Sequence, residues 1–113
     1  ICYDLRFPEL FRSLGAVDLI LMPAAFTDTT GRAHWEILLR ARAIENQCYL
    51  LAVGQGGRHE NGRRTHGNSM IVDPWGEILD RKMTGPGIAI ADLDHARIAE
   101  IRESLPALAH RTL

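Results

Sequence analysis

Cysteine is scarce in this sequence: Cys2 and Cys48 are the only two among 113 residues. So few cysteines exclude the disulfide framework that stabilises many small secreted domains. The two thiols are able in principle to pair, but an enzyme of a reducing compartment, with one reactive and one buried thiol, is the better interpretation. We therefore predict a cytoplasmic location.

A strong charge of one sign, long apolar runs and repeats are also lacking. The formal net charge of −1 gives no electrostatic reason to expect a nucleic acid or an anionic membrane as a partner. No apolar run approaches the length of a membrane span, and no secretory signal pattern is visible. Internal repeats, low-complexity segments and linkers are absent, so the 113 residues form one domain at most.

What the sequence does contain is enough apolar material for a core, since hydrophobic residues make up 46% of it. The pattern predicts strands at residues 17–22, 49–53, 69–72, 77–81 and 87–93, and helices at 9–14, 33–47 and, between a cap at Asp94 and Pro106, 95–105. The strand at 17–22 is a nearly unbroken apolar run, which suits burial on both faces. Residues 24–31 and 55–66 are predicted loops, 73–76 a hairpin turn, and 107–113 a tail without clear structure. This order predicts an α/β fold with a mixed sheet.

The first nine residues contain the clearest chemical signal. Cys2 lies where the pattern predicts the end of a short strand, and Pro8 suits the first turn of the following helix. A strand, a sharp turn and a helix present the nucleophile of many hydrolases above a sheet. The helix start and the nearby Arg6 would favour the thiolate, which is the reactive form of cysteine. On the residues alone, a second interpretation of Cys2 as a small buried apolar residue is equally open.

Residues 1–9, Ile-Cys-Tyr-Asp-Leu-Arg-Phe-Pro-Glu, resemble the nucleophile motif of the nitrilase superfamily, the carbon–nitrogen hydrolases. Later sequence blocks of that family have counterparts in the same order, at residues 23–31, 34–36, 40–47, 67–70 and 73–76. The resemblance covers essentially the whole chain. Within the superfamily, the sequence is most similar to the branch whose reported activity is hydrolysis of the amide of deaminated glutathione.

The resemblance implies a four-layer α-β-β-α sandwich, of which this chain would supply about the carboxy-terminal half. Family members are much longer, and this chain begins one residue before the nucleophile and without an initiator methionine. We therefore expect residues 1–113 to be the carboxy-terminal part of a carbon–nitrogen hydrolase domain. The amino-terminal part, which holds the family's catalytic glutamate (the general base) and lysine, would then be absent.

The resemblance also implies roles for individual residues. Cys2 would be the nucleophile and form a thioester acyl-enzyme, and the backbone N–H of Tyr3 would stabilise the oxyanion. Arg6 would hold a substrate carboxylate through a bidentate pair. A structural ion pair with Asp4 or Glu9 is an equally open role for Arg6.

The predicted loop at residues 24–31 follows the end of a buried strand, where α/β proteins tend to place their sites. Phe26, Thr27 and Thr30 are therefore predicted to line the substrate pocket, with Thr30 donating a hydrogen bond to the carboxylate. The alternative is that the loop is an ordinary polar connector.

The glycine- and arginine-rich loop at residues 55–66 leaves two interpretations open. Arg58, Arg63 and Arg64 would attract a carboxylate substrate, or the loop is simply solvated. Its two histidines and the two distant cysteines do not form a convincing zinc site. No histidine lies in a motif that resembles the papain-like proteases, and Cys2 is not the first residue, as an amino-terminal nucleophile would be. We predict no metal and no other cofactor.

The helix predicted at residues 33–47 is apolar on two sides. One stripe contains Ala33, Ile37, Ala41 and Ile44, and the other side contains Trp35, Leu38 and Leu39. Because one sheet covers only one side, we expect the side with Trp35 and Leu39 to be covered by a further layer or subunit, most simply in a two-fold homodimer. Arg42 and Glu45 should pair if they are buried, or else reach solvent.

Two functions remain open from the sequence. The first is cysteine-dependent hydrolysis of a non-peptide amide bond in a small carboxylate-bearing substrate, such as the amide of deaminated glutathione. The second is a non-catalytic interaction module that keeps the fold and the dimer surface but lacks the glutamate and the lysine.

Overall fold

A computed structural model describes residues 1–112, and within them the central element is a four-stranded sheet in the order β1-β2-β5-β6. Strand β1 (Leu19–Ala24) pairs in parallel with β2 (Tyr49–Gly54). Strands β2, β5 (Ser69–Val72) and β6 (Ile78–Lys82) are antiparallel neighbours. The predicted α/β fold with a mixed sheet is therefore confirmed.

Helical segments precede and follow β1. In chain order they are a 3₁₀ helix (Cys2–Arg6), α1 (Pro8–Arg12), the single turn α2 (Asp28–Thr30), a π-helical turn (Gly31–Trp35), α3 (Glu36–Asn46) and α4 (His95–Ser104). Part of the segment predicted as a loop is thus helical and leads into α3. Among residues 1–112, no helix is both long enough and apolar enough to cross a membrane.

The core lies between α3 and one face of the sheet. Trp35 and Leu39 belong to the same buried cluster as Leu50 of β2. Burying a side chain of this kind stabilises the fold by roughly 1.5–3 kcal/mol. Ile37, in contrast, is 69% exposed, and Ile44 is exposed as well. The predicted orientation of the helix was wrong, because Trp35 and Leu39 face the sheet and the stripe with Ile37 and Ile44 faces outward.

The inner side of α3 is difficult to recognise from the sequence because part of it is polar. Arg42 and Asn46 are buried there beside Ala43. Arg42 Nη1 lies 3.0 Å from a carboxylate oxygen of Glu45, which confirms the predicted pair. Asn46 Nδ2 donates to the carbonyl of Arg42 at 2.8 Å. An arginine and an asparagine are not typical of a buried helix face. The sequence therefore favoured the apolar stripe on the opposite side of α3 as the side that faces the sheet.

The other face of the sheet is largely open. Leu21 of β1 is 65% exposed and Val53 of β2 is 54% exposed, so β1 is not buried on both faces as predicted. In a four-layer sandwich, a second sheet would cover this face. The open apolar face is therefore what the resemblance predicts for one half of such a sandwich.

Residues 87–93 run beside this open face but form no strand. The N–H of Ile90 donates to Asp80 Oδ2 at 2.7 Å, and this hydrogen bond lowers the pKa of Asp80. The N–H of Ile90 is thus bonded to the side chain of Asp80 and does not pair with the backbone of a neighbouring strand. The predicted strand is wrong for this reason, and its apolar residues Ile88 and Ile90 are exposed.

Two further connections shape the molecule. The predicted loop at 55–66 contains a hairpin of β3 (Gly56–Arg58) and β4 (Arg64–His66), whose tip is residues 59–63. The predicted turn after β5 is present, because Asp73 Oδ1 accepts from the N–H groups of Trp75 at 2.9 Å and Glu77 at 2.8 Å.

Helix α4 is capped at its start and is fixed to the rest of the molecule near its other end. The side chain of Asp94 accepts from the N–H of Ala96 at 2.8 Å, so the predicted cap is present. Near the other end, Arg102 donates to the carbonyls of Gln47 at 3.2 Å and Val17 at 2.6 Å. Residues 107–112 contain no helix or strand, and Leu113 lies outside the described residues.

Candidate active site

Cys2 has an unusual backbone conformation. Its φ of 54° lies in the left-handed region, which residues other than glycine seldom adopt. Such strain concentrates at functional sites, and a sharp strained turn presents the nucleophile in hydrolases of the elbow type. Cys2 begins the 3₁₀ helix, so the strained turn leads directly into a helical segment.

Cys2 opens onto a cavity of about 250 Å³. The residues that line it are Cys2, Tyr3, Arg6, Ala25, Phe26, Thr27, Thr30 and Arg63. The structure thus brings together the six residues predicted for the site, from two segments more than 15 positions apart in the chain. Their chemical roles remain predictions.

Arg6 contacts an imidazole and two aromatic rings and no carboxylate. Its Nη1 lies 3.1 Å from His34 Nδ1. The guanidinium carbon lies 5.5 Å from the centre of the Tyr3 ring and 5.2 Å from that of Phe26, within the range of cation–π attraction. Among residues 1–112, Arg6 makes no ion pair with an acidic side chain, which argues against the alternative structural role. The arginine is positioned and its charge is available to a ligand.

Arg42 fixes the turn that carries Cys2. Its Nε and Nη2 donate to the carbonyl of Leu5 at 3.1 and 2.8 Å, and its guanidinium carbon lies 5.7 Å from the Phe11 ring centre. Because Arg42 also pairs with Glu45, its buried charge is compensated. The pair with Glu45 is predictable from the sequence, whereas the bond to Leu5 is not. The spacing of Arg42 and Glu45 within one helix predicts their pair, but it does not predict a contact of Arg42 with a residue 37 positions earlier in the chain.

The threonines and Phe26 form the opposite wall. Thr27 caps the turn α2, and its Oγ1 lies 2.8 Å from Thr30 Oγ1, where either hydroxyl is able to donate. Phe26 packs on Trp35 with ring centres 5.0 Å apart, and its carbonyl accepts from the N–H of His66 at 2.9 Å. The wall is therefore anchored both to the helical layer and to the β3–β4 hairpin.

Arg63 is the charged lining residue that the sequence analysis did not select. It lies at the tip of the hairpin, and its N–H donates to Asn61 Oδ1 at 3.0 Å. The possible signal was the arginine-rich loop, but the sequence did not show which arginine would face the cavity. Arg58 and Arg64, on the strands of the hairpin, do not line this cavity.

Cys48 is unsuited to be the nucleophile. It is fully buried, and burial raises the pKa of its thiol to about 11. Both cysteines are free, so the thiols do not pair. No histidine lines the cavity beside Cys2, and among residues 1–112 no group of three or more His, Cys, Asp or Glu side chains is arranged to hold a metal ion.

A larger cavity, of about 340 Å³, lies elsewhere, between the end of β2 and residues 82–87. Its lining is rich in glycine and contains no cysteine. The smaller cavity, with its strained cysteine, is therefore the better candidate for an active site.

Residues 1–103 match the family model of carbon–nitrogen hydrolases. The chain is 51% identical, over 98% of its length, to a deaminated glutathione amidase of Synechocystis sp., and it spans 42% of that protein. It is 48% identical, again over 98% of its length, to the deaminated glutathione amidase of Homo sapiens, of which it spans 35%. The chain thus spans less than half the length of the curated relatives it matches.

Solved structures agree with the sequence comparison. The NitFhit protein of C. elegans superimposes with a TM-score of 0.91 and 47% identity, covering 98% of this chain and 27% of that one. A variant amidase of Nesterenkonia sp. AN1, with a TM-score of 0.71 and 36% identity over 91% of this chain and 39% of its own, shows covalent addition of the acetamide moiety of fluoroacetamide at its active-site cysteine. The match to the family model and the identity to these relatives show that this chain belongs to the carbon–nitrogen hydrolase family of the nitrilase superfamily.

Proposed function

We propose that the protein containing this chain hydrolyses the amide bond of a small carboxylate-bearing molecule, with Cys2 as the nucleophile. The observation that carries the proposal is the strained backbone of Cys2 beside a cavity that also contains Arg6. The names of the relatives support an amide like that of deaminated glutathione as the substrate. Because the chain spans less than half the length of those relatives, the proposal concerns the longer protein.

In the first step, the thiolate of Cys2 attacks the carbonyl carbon of the amide, and negative charge develops on the carbonyl oxygen. The N–H of Tyr3 lies in the first turn of the 3₁₀ helix, where backbone N–H groups are not used by the helix itself, and it donates to this oxygen. The C–N bond then breaks. The amine leaves with a proton from the general acid, and the acyl group remains on Sγ as a thioester.

In the second step, a water molecule gives a proton to the general base and attacks the thioester. The C–S bond breaks, which releases a carboxylic acid and regenerates Cys2. The resemblance assigns the proton transfers to a glutamate and the second oxyanion donor to a lysine, both outside these 113 residues. We accordingly propose that residues 1–113 form the carboxy-terminal part of a carbon–nitrogen hydrolase domain.

Arg6 and Thr30 position the substrate in this proposal. The guanidinium of Arg6 has a planar set of donors that fits a carboxylate, and it has no acidic partner within residues 1–112. The hydroxyl of Thr30 lines the same cavity. Phe26 supplies the apolar surface on which the carbon chain of the substrate packs.

The proposal is tested in the full-length protein by replacing each cysteine separately. Cys2→Ala should lower turnover of succinamate, a small ω-amide with one carboxylate, by at least about 1,000-fold, because cooperating catalytic groups fail together. Cys48→Ala should change turnover by less than about threefold, since removing one buried sulfur affects packing and not chemistry. Circular dichroism checks that both variants are folded.

Mass spectrometry of the parent enzyme, quenched during turnover, should find the succinyl group on Cys2. A succinyl group found only on Cys48, or a Cys2→Ala protein that retains normal turnover, would contradict the assignment.

We further propose that the protein is a homodimer and cytoplasmic. An apolar stripe with Ile37 and Ile44 on the outer side of α3 supports an interface between subunits. Two free thiols, one of them partly exposed, support a reducing compartment.

A further inference from the structure

The cavity beside Cys2 contains two positive charges and no negative one. Arg6 reaches it from the 3₁₀ helix and Arg63 from the tip of the hairpin, and no Asp or Glu is among the lining residues. Within residues 1–112, neither guanidinium makes an ion pair with a carboxylate. Two cations facing one cavity repel each other, so a ligand with two anionic groups would fit this cavity better than a ligand with one.

A second cavity of about 200 Å³ extends the first one past Arg63. The two share Ala25 and Arg63 as lining residues, and the rest of the second cavity is polar, formed by Gln55, His59, Asn61 and Thr65. His59 Nε2 lies 2.8 Å from Thr65 Oγ1, which fixes the imidazole against β4. The tip itself is ordered by the hydrogen bond from the N–H of His59 to the carbonyl of Arg63 at 2.9 Å. Arg63 thus stands on a defined turn between the two cavities.

We propose that Arg63, with the polar groups of the second cavity, is a binding subsite for a second anionic group at the far end of the amide substrate. This inference rests on the proposed function, in which Arg6 holds the first carboxylate near Cys2. Under the proposed function, Arg63 would then bind the group that lies on the other side of the scissile bond from Arg6. Arg63 acts as a specificity-determining residue that selects for the second charge and takes no part in the chemical steps.

The test uses the full-length protein and two amides that differ only in the second charge. N-succinylglycine has a carboxylate on both sides of its amide, and N-(2-hydroxyethyl)succinamate has a hydroxymethyl group in place of the second one. A hydrogen bond between an arginine and a carboxylate contributes substantially to the free energy of binding. Arg63→Ala should therefore lower kcat/KM for N-succinylglycine by roughly 10- to 100-fold. For the hydroxyethyl analogue, the same variant should stay within about twofold of the parent, because the lost charge has no partner there.

Arg58→Ala is the matched control. Arg58 carries the same charge on the same hairpin but lines neither cavity. It should leave kcat/KM for both amides within about twofold of the parent, since a solvated charge at a distance is largely screened. An equal loss on both amides with Arg63→Ala, or a loss on N-succinylglycine that Arg58→Ala reproduces, would overturn the proposed subsite.

A binding measurement separates this inference from the proposed function. Calorimetry on Cys2→Ala protein should show N-succinylglycine binding more tightly than the hydroxyethyl analogue, and a second change, Arg63→Ala, should abolish that difference. If the parent hydrolyses neither amide, the proposed function fails and this binding difference still decides the subsite. Equal affinities for the two amides in the Cys2→Ala protein would reject the subsite, whether or not the parent is an active amidase.

Discussion

Arg42 is a side chain outside the cavity that binds the backbone of the turn after Cys2. It is buried, and its Nε and Nη2 donate hydrogen bonds to the carbonyl of Leu5, three residues after Cys2. Its remaining charge is compensated by Glu45. A fork of this kind needs a planar guanidinium, so lysine is not an equivalent replacement.

We expect Arg42→Met to lower the free energy of unfolding by about 1–3 kcal/mol, because the carbonyl of Leu5 is left without a partner. If Arg42 also positions Cys2, kcat should fall further than the KM for succinamate changes, and Arg42→Lys should restore only part of it. Urea unfolding and steady-state kinetics on the full-length protein measure the two effects. A variant with lower stability but unchanged kcat would limit Arg42 to a structural role.

Cys48 gives a pH dependence of stability with a definite sign. Burial raises the pKa of its thiol from the ordinary value of 9.0 to about 11 in the folded chain. Between these two pH values the unfolded chain releases the proton and the folded chain retains it, so the stabilising contribution is complete below pH 9 and is lost as the pH rises towards 11.

The free energy of unfolding of the full-length protein should therefore fall faster over this range than that of Cys48→Ala, by an amount on the order of 2 kcal/mol. Urea unfolding at a series of pH values measures the difference. Parallel curves for parent and variant would mean that the thiol of Cys48 reaches solvent in the folded state.

The site residues could be predicted when they lie in contiguous motifs. The resemblance of residues 1–9 to a family motif supplied Cys2, Tyr3 and Arg6, and the position of the next loop after a strand supplied Phe26, Thr27 and Thr30. Arg63 was not selected, since three arginines share its loop and only the hairpin geometry shows which one faces the cavity.

At the scale of elements, the contact between the π-helical turn and β4 determines where one wall of the cavity stands. Gly31 begins that turn, and a Cβ at this position would lie 2.2 Å from His66 Cβ. The backbone of Gly31 has an ordinary helical φ of −61°, so the requirement for glycine comes from this close approach alone.

Gly31→Ala should therefore lower the free energy of unfolding by about 1–3 kcal/mol, as overpacking of a filled site does. It should also lower kcat/KM, because His66 donates to the carbonyl of Phe26 and its displacement moves the cavity wall. Thermal or urea unfolding of the full-length protein tests the first effect, and kinetics with succinamate test the second.

His66→Gly provides the internal control, since it removes the atom that the new methyl group would meet. The double variant should be more stable than the sum of the two single effects predicts. Strictly additive effects would show that Gly31 is not limited by His66.

Most of the longer helices and strands were predictable from periodicity, whereas the orientation of α3 and the conformation of residues 87–93 were not. The buried side of α3 includes Arg42 and Asn46, so hydrophobic spacing pointed to the wrong stripe. Residues 87–93 have the apolar pattern of a strand, but the bond from Ile90 to the side chain of Asp80 replaces a backbone partner. In both cases a tertiary polar contact outweighs the local pattern.

At the scale of the whole molecule, apolar side chains are exposed on the sheet face with Leu21 and Val53 (the first surface) and on the outer stripe of α3 with Ile37 (the second). The family fold accounts for the first, because a second sheet covers it in a four-layer sandwich. We expect the second to be the dimer interface. This reverses the side of the helix that the sequence favoured.

Ile37→Glu should therefore convert the full-length protein from a dimer to a monomer, because a charge would be buried at the interface without a partner. Light scattering measures the mass. Leu39→Glu offers a contrast, since Leu39 is fully buried within the chain and its replacement should reduce stability before it affects assembly. A monomeric parent, or a stable dimer of Ile37→Glu, would place the interface elsewhere or remove it.

The contact of Arg102 with the carbonyl of Val17 has a consequence for folding kinetics. It joins residues 85 positions apart, whereas β1 and β2 pair at a separation of about 30 residues. Closing the longer loop costs roughly 1 kcal/mol more in chain entropy, so the sheet is expected to form first and α4 to dock late. Amide hydrogen exchange should accordingly be faster in α4 than in β2, because the helix that docks late is expected to detach from the sheet most readily.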